Sequence, residues 1–96
     1  MGLLSWLFPS PEDRIRRAQD LVDRERYADA RLEVMDIDHP EALEILEQAE
    51  RALTLLNLQE ALSWGRAGDD RRVQMHMELA ETFRKEGMDE DFRAIR

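Results

Sequence analysis

The amino-acid sequence predicts an all-α fold of about three short helical hairpins, and three observations carry that expectation. Strand signals are sparse: Thr occurs twice, and there is no Asn-Gly or Asp-Gly hairpin turn. Ala, Leu, Glu, Arg, Gln and Met, the residues that lose least on entering a helix, dominate throughout. Shifted by thirty-one residues, the chain matches itself. Ala18 falls on Ala49 and Ala80, Ile15 on Leu46 and Met77, and Leu21 on Ala52 and Phe83.

The elements follow from local punctuation. Ser10-Pro11-Glu12-Asp13 reads as a helix start, with Ser as N-cap, Pro in the first turn and acids at the positive dipole end. Ile15, Ala18 and Val22 then form an apolar stripe at i, i+3, i+7. Tyr27-Ala28-Asp29-Ala30 opens a second helix and aligns with Leu58-Gln59-Glu60-Ala61 in the next copy. His39-Pro40-Glu41 begins the second unit, with His39 as a cap residue. Asn57-Leu58-Gln59-Glu60 has the form of a capping box and predicts a turn that divides this unit into two helices. Ala67-Gly68-Asp69-Asp70 is a stop followed by a new cap, and Glu86-Gly87-Met88-Asp89 is a further break. The units run over about 9–39, 40–70 and 71–96, behind an apolar segment at 1–8. The middle unit is the most apolar, as expected where both faces must be covered by neighbours.

Composition narrows the function class. The 96 residues carry a net charge of −8, which opposes a nucleic-acid backbone as partner. The absence of Cys removes disulfides and thiolate metal sites, and no cofactor or metal is expected. Only two His are present, no phosphate-binding Gly-rich loop occurs, and the acids sit at spacings typical of solvated helix faces, as in Asp20 with Arg24. The chain therefore reads as a non-enzyme. Met75 and Met77 around His76 do not amount to a ligand cluster. Trp64 reads either as an interface anchor or as packing between the second and third units.

The stretch "AQDLVDRERYADARLEVMDIDHPEA" resembles a tetratricopeptide repeat, with Ala18, Leu21, Tyr27, Ala30 and Pro40 in the family's order of small, large, aromatic, Ala and Pro. Ala49, Ala52, Leu58 and Ala61 match again, then Ala80, Phe83 and Gly87. The period is shorter than the family's, and the aromatic expected early in the first helix is missing. The resemblance implies a right-handed stack of hairpins with a concave groove formed by the first helix of each. Its groove-facing positions fall on Ile15, Gln19 and Val22, on Leu46, Glu50 and Leu53, and on Met77, Glu81 and Arg84. It thus implies an apolar groove with an acidic stripe at Glu50 and Glu81, suited to an amphipathic helix or apolar peptide with basic flanks. Ile15, Leu46 and Met77 read equally as core. The residues that clamp a C-terminal carboxylate in some members are missing.

Leu3, Trp6, Leu7 and Phe8 of "GLLSWLF" form a candidate N-terminal anchor. The segment lacks the marks of a secretory signal and the length of a membrane span. It is expected to fold back onto the repeats or into a neighbouring chain's groove, with Trp6 and Leu7 foremost. The reading overall is a cytoplasmic adaptor or scaffold that binds a protein or peptide partner. The alternatives are a peripheral membrane protein held by residues 2–8 and a self-associating structural domain. Phe83 and Phe92 are expected to leave apolar surface open near the C-terminus, implying either a longer parent chain or a covering second copy.

Overall fold

The structure, a computed structural model, describes residues 9–95. Those residues form five helices: α1 (Pro11–Asp23), α2 (Tyr27–Val34), α3 (Pro40–Arg66), α4 (Asp70–Phe83) and α5 (Asp89–Arg93). The all-α expectation holds. The anchor residues Leu3, Trp6, Leu7 and Phe8 lie outside the described residues. The chain divides into two compact units, with the boundary between Ala49 and Glu50, inside α3. Among the described residues, no helix is long and apolar enough to cross a membrane.

The first unit begins as its sequence dictates. The Ser10 hydroxyl accepts from the Asp13 amide at 3.2 Å, so α1 starts at Pro11 with one of its orphan donors satisfied. The helix ends in a Schellman turn: the Glu25 amide donates to the Val22 carbonyl and the Arg26 amide to the Leu21 carbonyl. Glu25, at φ 61°, takes the left-handed place that Gly normally fills. The turn reverses the chain into α2. The core joins Ile15, Ala18 and Val22 of α1 to Ala30 and Val34 of α2 and to Ala42, Ile45 and Ala49 of α3. Ala18, Ala30, Ala42 and Ala49 are wholly buried, and their small size lets the helix backbones approach closely. The branched side chains supply most of the apolar burial, roughly 1.5–3 kcal/mol each. At the rim, Arg14 meets Asp36 at 2.6 Å and Glu33 at 3.9 Å, while Arg17 meets Glu33 at 3.5 Å. The hydrogen bond from Arg14 holds the Asp36 carboxyl below its ordinary range.

The second unit reuses the same turn. The Asp69 amide donates to the Trp64 carbonyl and the Gly68 amide to the Gly65 carbonyl, with Gly68 at φ 78°. Asp69 then caps α4 through its carboxylate and the Arg72 amide, 3.1 Å away. Leu58, Ala80, Met88 and Phe92 form the core, with Met77 and Ile95 packed against it. Lys85 and Arg51 fasten the link between α4 and α5. Lys85 pairs with Glu50 at 2.7 Å, and the Arg51 guanidinium donates to the Glu86 carbonyl at 3.0 Å.

Two sequence expectations need correction. The turn at Asn57 is not made, since α3 runs unbroken for 27 residues. The Asn57 side chain does not cap a helix. Its amide donates back to the Leu53 carbonyl at 2.8 Å, and its oxygen lies 2.9 Å from His76 Nδ1 on α4. The middle of the chain is thus one long helix rather than a hairpin. Phe92, expected to leave apolar surface open, is 4% exposed. Met88 covers it within the core, and the Arg84 guanidinium stacks 4.2 Å from its ring centre. Phe83 is half-buried.

Candidate functional site

In the first unit, the N-terminal halves of α1 and α3 border a solvent-facing cleft of about 680 Å³. Glu12, Ile15, Arg16 and Gln19 line it from α1, His39 precedes α3, and Glu41, Glu44, Ile45 and Gln48 line it from α3. Its size falls within the range typical of ligand sites. Ile15 and Ile45, 7% and 5% exposed, make an apolar floor that the core holds in place. Glutamates and amides form the walls.

The cleft's charge is lopsided. Arg16 turns to Asp13, 3.5 Å away, within its own helix. His39 Nδ1 accepts from the Glu41 amide at 3.1 Å, which uses that nitrogen's lone pair and serves the start of α3, as expected of a cap residue. The Glu12, Glu41 and Glu44 side chains carry no ion pair among the described residues. Glu12 and Glu41 lie in first turns, where the helix dipole favours a carboxylate. Glu44 lies one turn further on and has no such local reason.

The residues that the repeat resemblance selected are dispersed. Gln19 lies on the cleft wall and Ile15 on its floor. Val22 is buried in the first core, and Leu46 is half-buried against that core. Glu50 is paired with Lys85, and Leu53 is half-buried on the second half of α3. Met77 packs on the second core. Glu81 pairs with Arg84 at 3.4 Å, and Arg84 also pairs with Asp89. The acidic stripe expected at Glu50 and Glu81 is therefore met by cations within the chain. Within the cleft, the carboxylates without an ion pair among the described residues are Glu12, Glu41 and Glu44. Sequence reasoning placed Glu12 and Glu41 only as helix-start acids, counted Ile45 among the apolar residues of the middle unit, and chose neither Ile45 nor Gln48 as a site position. The signal was a one-residue slip: the repeat alignment puts Ile15 on Leu46, whereas the cleft pairs Ile15 with Ile45.

Apolar side chains also stand in solvent outside the cleft. Leu32, Met35 and Leu43 do so in the first unit, and Leu55, Leu56, Leu62, Met75 and Leu79 in the second. Trp64 is half-buried, and the Arg72 guanidinium lies 4.1 Å from its ring centre. Comparison of the chain with protein-family models, with curated proteins and with solved structures finds no match.

Proposed function

We propose that this chain is a non-enzymatic interaction module that receives an apolar or amphipathic segment of a protein partner in the cleft between α1 and α3. The observation that carries this reading is the solvent-facing cleft itself, with Ile15 and Ile45, only 7% and 5% exposed, at its floor between polar walls. A docked helix or peptide would bury an apolar side chain against that floor and leave its polar flanks to the glutamates and amides. Titrating isotope-labelled protein with a synthetic amphipathic helical peptide tests this directly. Amide shifts concentrated at residues 12–19 and 39–48 are the expected result. Absence of shifts at those residues up to about 1 mM peptide, the weakest range of useful recognition, refutes it.

A second reading is self-association, and it has its own observation. Leu55, Leu56 and Leu62 on α3 and Met75 and Leu79 on α4 leave apolar surface exposed in the second unit. Sedimentation velocity across a concentration series separates the two. Self-association predicts a rising sedimentation coefficient that Leu56→Glu abolishes, whereas the cleft reading predicts no dependence on Leu56.

A further inference from the structure

We infer that the α1–α3 cleft is selective for a partner segment that presents lysine or arginine beside its apolar anchor. The inference rests on the interaction reading above and adds the chemistry of the partner. Three features of the cleft bear on it. The floor is Ile15 and Ile45, held by the core and narrowly exposed, so it suits a small apolar contact. The walls carry Glu12, Glu41 and Glu44, none of them ion-paired among the described residues. Of the two lining groups able to oppose them, Arg16 turns to Asp13, and His39 spends its Nδ1 on the Glu41 amide.

Some acids elsewhere meet cations: Glu33 and Asp36 meet Arg14, Glu50 meets Lys85, and Glu81 and Asp89 meet Arg84. Others, such as Glu25, Glu60 and Asp70, stand exposed without an ion pair among the described residues, but none of them lines the cleft. The cleft is a place where apolar surface and unmatched negative charge coincide. An anionic segment placed there would bring like charges together and lose contact with water. A cationic one would find partners on both walls, at Glu12 from α1 and at Glu41 and Glu44 from α3.

The test uses two fluorescein-labelled synthetic amphipathic peptides that share one leucine face and carry either lysine or glutamate on the polar face. The lysine peptide is expected to bind at least roughly tenfold more tightly, with an affinity that falls as salt rises. The double substitution Glu41→Gln/Glu44→Gln should weaken it about fivefold, since each exposed rim contact contributes modestly. Glu60→Gln/Glu78→Gln removes the same charge from exposed positions of the second unit and should change binding less than about twofold by the same reasoning. Equal loss in the two double variants would assign the attraction to the overall charge of −8 and overturn the inference. If both peptides bind alike and Gln19→Trp blocks both, the cleft is an interaction site without charge selectivity, and the inference alone falls. If neither peptide binds up to about 1 mM, the interaction reading falls with it. The peptide-charge and salt comparisons are made on the unaltered chain, so they decide the matter even if a variant fails to fold.

Discussion

Replacing Glu25 by glycine should make the protein more stable, although it removes a side chain. Glu25 closes the Schellman turn after α1 with φ 61°. For an L-residue that conformation costs roughly 1–2 kcal/mol, because Cβ crowds the following carbonyl. Glycine escapes that cost but adds freedom to the unfolded chain, which takes back about 0.5–1 kcal/mol. The Glu25 side chain is exposed and forms no hydrogen bond or ion pair among the described residues, so little else is lost. The net gain is about 0.5–1 kcal/mol, or a rise of several degrees in midpoint for a chain of this size. Gly68, at φ 78° in the matching turn, gives the opposite experiment. A Cβ built there meets nothing within 4 Å, so Gly68→Ala tests backbone strain alone and should destabilise by a similar amount. Urea denaturation followed by circular dichroism at 222 nm measures both. If Glu25→Gly is neutral or destabilising while Gly68→Ala destabilises, the strain assigned to Glu25 is wrong.

Three further outcomes are expected. Ala49→Leu, at a position with 0% exposure, should cost about 1–3 kcal/mol by overpacking, and Gln48→Ala beside it should cost far less; equal melting points for wild type and Ala49→Leu would discard the close helix approach. Asn57→Ala removes its bonds to the Leu53 carbonyl and to His76 and should cost about 0.5–1.5 kcal/mol in denaturant, while Asn57→Asp, which cannot donate to Leu53, should not restore the loss. Asp36 is held below its ordinary range by Arg14, so its contribution is present above the unfolded carboxylate pKa and lost as pH falls through the lower folded value. Asp36→Asn should therefore flatten the acid side of the stability–pH curve, and an unchanged slope below pH ~4, the ordinary carboxylate range, contradicts the pair.

Much of the helical frame was legible because its signals are local. Ser10, His39 and Asp69 cap helices where the chain itself can supply the bond, and Gly68 and Gly87 have the positive φ that marks a break. The burial of Ala18, Ala49 and Ala80 was also legible, because each is a small residue on the apolar face of a helix. Asn57 was misread for the same reason that the others succeeded. Its neighbours form a capping pattern, but a contact with His76, nineteen residues away, recruits the side chain, and no local pattern reveals that. The turn at Glu25 has no Gly to announce it. The cleft was only partly visible. Gln19 and Ile15 were found, but Ile45 was displaced by Leu46 because a strict thirty-one-residue shift assumes each helix turns the same face inward. Charge pairing was the least legible feature. Glu50 looks like an open acid until the fold brings Lys85 beside it, whereas Glu81 meets Arg84 at i, i+3, a local pairing that the groove reading passed over.

Lys85 is the chain's lone lysine among fourteen basic residues. Amine-directed chemistry therefore finds one side-chain target, and that target is the cation paired with Glu50 in the link between α4 and α5. Acylation would convert the ammonium into a neutral amide and remove that partner from a carboxylate only 13% exposed. An arginine in its place would keep the charge yet escape the reagent. The rate at which a succinimidyl ester marks Lys85 thus reports on how firmly the link is closed, read from the mass of the peptide that carries Lys85.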